Sequence, residues 1–531
     1  MSSKISRPNA RAWRIGLAAA GLVSFLAPAA HALDEAEQRG KQIYLEGTSS
    51  RGTMINAVVG EEASVIPAAA IPCTNCHGYD GLGRPEGGVI PTDVRWSQLS
   101  KTYGHVHDDG RRHEAFDEKS VTRSIIAGVD PANNQLDKSM PLYLLSGDDA
   151  ADLVAYLKVL EHDLDPGIEE DRVRVASLLP VKGRAAALGQ AMEQVLRGHF
   201  ADVNSRGGVF GRQIELVTVP LAATPDATLL NLQTVFDEQD VFALVGGYTI
   251  GLDDALLEML RYDKVPLVGP FTLDPGDELL DAAAFYLYPG FNEQVRVLAD
   301  QAFEHAGEPG RVFIASPDTG QHDELVSIAE DQLRRLGNKA TTTASFVPGG
   351  ANAAALAARI GENDADSLIF FGAQEDLESL LVKLAIKGLT PKVHVLSSFL
   401  PRPLFGAPKM FDQQIFVAYP TLASDITEKG REDYQELASR HGLPTGNIQG
   451  QLAAFAAARV FVEGLRSAGR DLDRTRLTKS IEDMYQWETG VTPPLTFGPN
   501  RRIGARGAHV MTLDLENESM TPVGKGWHEV R

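Results

Sequence analysis

Two cysteines and a histidine stand in one short segment whose spacing suits covalent chemistry. The segment reads Cys73-Thr74-Asn75-Cys76-His77, and it contains the only two cysteines of the 531 residues. This pattern is typical of c-type haem attachment, in which both thiols form thioethers with the porphyrin and the histidine ligates the iron. A strained local disulfide and a redox-active Cys-x-x-Cys pair are the alternative interpretations, and neither needs His77. We predict one covalent haem c, held by Cys73, Cys76 and His77.

The bulk composition predicts a multidomain chain. A length of 531 residues is too great for one hydrophobic core, so two or three domains are expected. Hydrophobic residues make up 43% and charged residues 23% of the chain, which excludes a protein that is disordered throughout.

The first 32 residues have the pattern of a cleaved export signal. Four basic residues precede an apolar run over 15–30, and Ala30 and Ala32 supply the small side chains that signal peptidase accepts. A retained membrane anchor is the alternative, but the run is short and Pro28 interrupts it. No later segment is long and apolar enough to span a bilayer. We therefore expect a periplasmic protein without a transmembrane span after cleavage.

The mature chain is strongly acidic. The formal net charge of −21 becomes −25 when the signal leaves, because the signal carries four basic residues and no acidic one. Such a surface repels nucleic acid and anionic lipid, so neither is an expected partner. It can steer a basic protein partner, although solubility alone also explains it.

The composition changes along the chain at residues 166–171. Pro166-Gly167 breaks any helix there and acidic residues follow, which is typical of a linker. Residues 33–165 contain short helical patterns separated by glycine-rich loops. From residue 172 onward, short apolar runs alternate with longer amphipathic segments, which predicts parallel sheets with crossover helices.

The first region resembles class I cytochromes c in four motifs. These are Gly40-Lys41-x-x-Tyr44, the Cys-x-x-Cys-His-Gly segment at 73–78, Met140-Pro141 and the closing segment at 153–157. The resemblance implies a small all-α cytochrome c domain over 33–165. In it, an amphipathic helix over 35–45 would cross a second helix over 148–160.

The same resemblance implies that Met140 is the second axial ligand of the iron. A His/Met pair raises the reduction potential, which suits an electron acceptor. Met54, His105, His107 and His113 are the rivals. The three histidines lie among charged residues and glycine, so we expect an exposed loop for them, solvated or near the haem edge.

The chain departs from the small cytochromes c at residues 48–72. In those proteins the first helix runs almost directly into the attachment motif, whereas here 25 residues intervene. We expect this insertion to cover the haem edge or to form a partner-docking surface.

The region from 172 to 531 resembles the periplasmic leucine/isoleucine/valine-binding proteins. The resemblance rests on several segments spread over nearly the whole region: 173–180, 204–215, 244–249, 266–272, 311–316, 367–372 and 489–500. It implies two doubly wound α/β lobes, joined by three crossings, that close on a small ligand. Lobe one would take about 172–290 and 420–490, and lobe two about 291–419 and 491–531.

The ligand-binding residues follow from this second resemblance. The positions that match the family's ligand loops are Tyr248, Thr249, Gly251, Phe271 and Thr272 in lobe one, and Gln374, Glu375 and Ser398 in lobe two. Amino-acid binders of the family place an acidic side chain near the last position. This chain has Ser398 and Phe399 instead, which argues against an amino-acid ligand unless Glu375 substitutes. Tyr248 and Phe271 either stack on an apolar ligand or pack between loops.

Three functions compete at this level. The first is a periplasmic one-electron carrier with a fused small-molecule-binding domain, whose redox partner is a dehydrogenase or another cytochrome of an oxidation system. The second is solute capture for an ABC permease. The third is a sensor in which ligand binding and haem redox state are coupled. The sequence of the binding region shows no nucleophile motif, no phosphate-binding glycine loop and no metal-ligand cluster, so we expect a carrier and binding protein and not an enzyme.

Overall fold

The computed structural model describes residues 33–60, 62–78, 80–83, 91–107, 110–262, 264–275, 282–307, 310–350 and 352–530. The predicted export signal over 1–32 lies outside these residues. The chain divides into two compact units between Asp163 and Leu164. Within the described residues, each helix is too short or too polar to cross a bilayer.

The first unit contains five helices and five short strands within the described residues. In chain order these are α1 Glu35–Glu46, β1 Asn56–Val59, β2 Ser64–Pro67, α2 Thr74–His77, α3 Trp96–Leu99, β3 His105–Val106, β4 Arg112–His113, α4 Glu118–Ala127, β5 Leu142–Leu144 and α5 Gly147–Val159. Single 3-10 turns lie at Ala68–Ala70 and Leu160–His162.

Helices α1 and α5 form the centre of this unit, as the sequence predicts. Asp34 caps α1 through the backbone amides of its first turn. Gly40 lets the two helices touch, because a Cβ at this position would lie 2.0 Å from the carbonyl oxygen of Asp152. Tyr44 and Tyr156 then pack with ring centroids 5.6 Å apart. The two helices therefore meet backbone to backbone at one glycine.

The fold class predicted for the whole chain is confirmed, but the first unit is not entirely helical. The insertion over 48–72 folds into the hairpin β1–β2, and β5 adds to it antiparallel in the order β2-β1-β5. A second hairpin pairs β3 with β4. The β1–β5 pairing joins residues far apart in sequence, so the local pattern did not reveal it.

The second unit begins with a five-stranded parallel sheet, which with its helices forms lobe one. Its elements up to the first crossing are β6 Arg172–Leu179, α6 Ala186–Ser205, β7 Gln213–Pro220, α7 Pro225–Gln239, β8 Ala243–Val245, α8 Asp253–Tyr262, β9 Leu267–Val268 and β10 Ala284–Phe285. The strand order is β10-β9-β8-β6-β7. The order reverses beside β6, so loops after β6 and β8 diverge at the carboxyl edge, where such sheets bind ligands.

Lobe two is built on a seven-stranded sheet. The elements that follow in the chain are α9 Phe291–Ala306, β11 Val312–Pro317, α10 Asp323–Arg335, β12 Thr341–Phe346, α11 Ala353–Glu362, β13 Ser367–Phe370, α12 Gln374–Ile386, β14 Lys392–Leu396, β15 Ile415–Tyr419, α13 Glu428–His441, α14 Ile448–Ala468, α15 Arg474–Glu482, β16 Gly507–Asp514 and β17 Ser519–Glu529. The order is β12-β11-β13-β14-β15-β16-β17, with the last two strands antiparallel. Helices α13, α14 and α15 contribute to the core of lobe one.

The chain crosses between the lobes three times: before α9, between β15 and α13, and just before β16. The last crossing differs from the predicted one, because Leu495, Phe497 and Ala505 are buried in the core of lobe one. Lobe two therefore resumes near residue 507 and not at 491.

The predicted linker over 166–171 is folded against lobe one. Ile168 is buried in the lobe-one core, and the amide of Arg174 donates to the carbonyl of Gly167. Just before it, Asp165 accepts a hydrogen bond from the amide of Arg474. The hydrophobic side chain at Ile168 explains this, since an isolated tether would leave it in water.

Candidate functional site

The structure holds His77 in the state that iron ligation needs. Its Nδ1 lies 2.9 Å from the carbonyl oxygen of Thr92, so Nδ1 carries the proton and Nε2 is left to bind. The ring is 6% exposed. Burial lowers the pKa of His77 and outweighs the Thr92 carbonyl, so the imidazole is neutral. Sequence reasoning found His77 but had no signal for the carbonyl that orients it.

The two cysteines lie on one helical turn. Cys73 precedes α2 and Cys76 lies inside it. Burial raises the pKa of Cys73 to about 12. This shift opposes formation of the Cys73 thiolate, whereas a redox-active Cys-x-x-Cys pair needs a stabilised thiolate.

Two tyrosines tie the attachment segment to the rest of the unit. Tyr44 Oη donates to the carbonyl of Gly78 at 2.7 Å, on one side of the motif. Tyr143 Oη donates to the carbonyl of Ile71 at 2.7 Å, on the other side. Because Tyr143 belongs to β5, the inserted sheet links the Met140 loop to the cysteines. The insertion thus positions the motif, a role the sequence did not reveal.

Several apolar side chains of the first unit suit a porphyrin. Ile71, Val94, Trp96 and Met140 pack against the first-unit core but are only partly buried. Cys73 packs against the same core, and partly covered apolar side chains that share a core with an attachment cysteine suit a covalent haem. The residues present therefore fit a covalent haem. Met140 is one of these partly buried side chains, whereas Met54 is 81% exposed.

The three histidines that rival Met140 form a cluster, which corrects the expectation of a solvated loop. His113 is 7% exposed, and its Nε2 lies 2.9 Å from Nε2 of His107. His105 lies opposite His113 in the β3–β4 hairpin, and its Nε2 bonds to the carbonyl of Gln98. Within the described residues, no three His, Cys, Asp or Glu side chains are arranged to hold a metal ion.

In lobe one, the loops after β8 and β9 bring the predicted ligand residues together. The amide of Phe271 donates to the carbonyl of Gly247, and Tyr248 and Phe271 stack with ring centroids 6.1 Å apart. Both rings are partly exposed, and Gly251 lies exposed in the turn before α8. The two aromatic side chains thus pack on each other and still present a surface to a ligand.

Thr249 is placed differently from the prediction of a ligand contact. Its side chain is fully buried, and its hydroxyl lies 2.7 Å from Asp253 Oδ1. Thr272 Oγ1 lies 2.7 Å from the other oxygen, Oδ2. Asp253 was missed in the sequence, although an acidic residue four positions after Thr249 at a helix start was an available signal.

In lobe two, the predicted ligand residues are spread. Gln374 is buried, with its amide nitrogen on Glu378 and its oxygen accepting from the amide of Arg402, so it is not free for a ligand. Glu375 and Ser398 are exposed at the starts of α12 and of the 3-10 turn after β14.

An aromatic group in lobe two lies one hydrogen bond away from the lobe-one ligand loops. Phe399 lies 6.0 Å from Phe291 and 5.1 Å from His322, measured between ring centroids. The amide of Phe291 donates to the carbonyl of Leu273, in the loop that contains Phe271 and Thr272. Phe291 thus connects the lobe-two loop at 397–399 to the lobe-one ligand loops.

A cavity of about 310 Å³ lies elsewhere on lobe one, between α6, α13 and α14. Its four arginines and four carboxylates balance in charge, and pairs such as Arg459–Asp433 at 2.9 Å satisfy them. It does not contain the predicted ligand residues.

Comparison with known families agrees with both resemblances. The family model for periplasmic binding protein matches residues 172–518, well over half of the chain. The chain belongs to this family. The family model for cytochrome c matches residues 68–161, so the first unit of this binding-protein family member contains a cytochrome c domain.

Individual relatives are distant. A "Leu/Ile/Val-binding protein homolog 2" of Brucella abortus (strain 2308) is 20% identical over 210 residues, which is 40% of this chain and 56% of that protein. The chain thus matches about half the length of this curated relative. A putative branched-chain amino acid ABC transporter from Rhodospirillum rubrum has 15% identity and a TM-score of 0.51, covering 66% of this chain and all of that one. A substrate-binding protein from Aeropyrum pernix has 16% identity and a TM-score of 0.50, covering 67% and 96%. These structures establish the fold alone.

Proposed function

We propose that this protein is a periplasmic one-electron carrier, with a single covalent haem c in the first unit and a small-molecule site in the second. The bound haem would supply a reversible ferric/ferrous couple. Cys73 and Cys76 would hold it, and His77 and Met140 would be the axial ligands. The proposal includes export by a cleaved signal, and it assigns no catalytic turnover to either unit.

The orientation of His77 is the observation that carries this proposal. A histidine that directly follows Cys76, is buried and neutral, and has Nδ1 on the Thr92 carbonyl is prepared for a metal through Nε2. Neither a disulfide nor a redox dithiol would need this arrangement. The net charge favours a basic redox partner, such as a periplasmic dehydrogenase or another cytochrome.

The test uses the full chain, matured in a host that attaches haem c. Mass spectrometry is expected to give one haem per chain, and a redox titration is expected to give a one-electron wave. Reduction by a periplasmic dehydrogenase of the native host should be rapid, and His77→Ala should abolish it. His162→Ala is the matched control, since His162 is exposed in the same unit. A colourless wild-type protein, or a His77→Ala variant that is reduced normally, would refute the proposal.

The second candidate is solute capture for an ABC permease, with the cytochrome as an accessory. The extent of the binding-protein match, residues 172–518, favours it. This function requires tight binding of a small molecule and uptake that depends on a cognate permease. Electron transfer that continues unchanged when the permease is deleted, with no loss of solute uptake, would contradict it.

A further inference from the structure

The wall that lobe one presents to the cleft is organised around Asp253. We define this lobe-one wall by Tyr248, Phe271, Thr272 and Asp253. Asp253 is the first residue of α8, and its two carboxyl oxygens each lie 2.7 Å from a threonine hydroxyl, that of Thr249 on Oδ1 and that of Thr272 on Oδ2. One carboxylate thus joins the loops after β8 and β9.

The number of protons on Thr249, Thr272 and Asp253 decides whether these side chains can donate a hydrogen bond to a ligand or only accept one. An ionised carboxylate only accepts hydrogen bonds, and a threonine hydroxyl has a single proton to donate. Both hydroxyl protons therefore point to Asp253. Thr272 Oγ1 also accepts from the amide of Asp274 at 3.2 Å, which fixes its lone pairs further. Thr249 is fully buried, whereas Thr272 and Asp253 are partly exposed, so their oxygens are the ones available to a ligand.

Two further acidic residues lie near Asp253. Asp254 is the next residue of α8 and Asp274 follows in the β9 loop, and both are exposed. Burial, together with Asp274, raises the pKa of Asp253 to about 6 against the opposing hydroxyl bonds. Because this pKa lies below 7, the ionised form of the carboxyl predominates at pH 7. The first turn of α8 also supplies its own acidic residues, so its positive end is already compensated.

We infer that Asp253 makes the lobe-one wall a hydrogen-bond acceptor, so that the cleft selects ligands whose polar group is an amine or a hydroxyl and not a carboxylate. This inference rests on the proposed small-molecule site. The stacked pair Tyr248–Phe271 beside the acceptor group suits an apolar or aromatic body attached to that polar group. The hydroxyls of Thr249 and Thr272 could otherwise donate to the carboxylate of a ligand. Both already donate to Asp253, so they are not available for that bond.

Three probes with the same aromatic body separate these polar groups: benzylamine, benzyl alcohol and benzoate. Calorimetric titration of the full haem-loaded protein at pH 7 should show that benzylamine and benzyl alcohol bind at least about tenfold more tightly than benzoate. In Asp253→Asn, the side-chain amide donates to one threonine, which frees that hydroxyl proton for the ligand. The preference should therefore fall by about tenfold or reverse.

Asp254→Asn is the matched control, because it removes the same charge one residue away. It is expected to keep the wild-type preference. If the ligand preference shifted equally in both variants, overall charge would explain the effect and the inference would be overturned. A wild-type protein that binds benzoate as tightly as benzylamine would also overturn it. The unfolding temperature of ligand-free Asp253→Asn, expected near that of the wild type, confirms that the variant is folded.

The same titrations separate failure of the inference from failure of the proposed function. Absence of binding by all three probes at millimolar concentration would remove the cleft part of the proposed function together with the inference. A lost preference with binding retained removes the inference alone.

Discussion

Met140 differs from Met54 in its surroundings, and this difference separates two candidate axial ligands. Met140 packs against the first-unit core next to β5, whereas Met54 is 81% exposed. We predict that Met140→Ala lowers the haem reduction potential by on the order of 100 mV, a part of the ~0.8 V range that axial ligands span. The absorption band that reports methionine ligation should disappear with it.

Met54→Ala should leave both the potential and that band unchanged. The histidine cluster supplies the competing outcome. If His113→Ala removes the sixth ligand while Met140→Ala does not, a histidine is the ligand and the potential should already be low. Potentiometry and visible spectroscopy on the three variants decide between them.

The site residues that can be predicted from the sequence are those whose motif is contiguous in the chain. The haem segment is contiguous, so five residues were enough to predict its thiols and its proximal ligand. The roles of Thr249, Asp253 and His113 depend on which loops meet, and no local pattern contains that information. The resemblance to the binding proteins predicts a ligand contact for Thr249, yet its hydroxyl donates to the carboxylate of Asp253.

Among the elements, the contact of α1 with α5 depends on the absence of a side chain at Gly40. A Cβ there would meet the Asp152 carbonyl oxygen at 2.0 Å and the Cβ of Tyr156 at 2.7 Å, so the helices would have to separate. We predict that Gly40→Ala destabilises the first unit by about 1–3 kcal/mol, even though alanine favours a helix. Denaturant unfolding followed by haem absorbance measures this.

Gly147→Ala is the control for helix propensity. Gly147 begins α5, and a Cβ there has open space within 4 Å. This variant should be as stable as the wild type or slightly more stable. Equal destabilisation by the two substitutions would mean that the close helix contact is absent in solution.

The helices and strands also show which contacts a local sequence pattern predicts and which it does not. The α1–α5 pair was predictable because each helix carries its own amphipathic pattern. The sheet β2-β1-β5 was not, because β5 has only three residues and its partner lies more than eighty positions earlier. In lobe one, Leu495 and Phe497 return to a core whose strands precede them by over two hundred residues.

At the scale of the whole molecule, two compact units with separate hydrophobic cores predict two unfolding events. Gly40→Ala perturbs only the first unit. Gly430→Ala should perturb only the second, since its Cβ would lie 1.9 Å from the carbonyl oxygen of Gly490. Calorimetry of the full chain should resolve two transitions, with haem absorbance following one of them, and each substitution should lower one transition by several degrees. The double variant should show both shifts unchanged. A single transition that both substitutions lower together would instead mean that the two units unfold as one cooperative body.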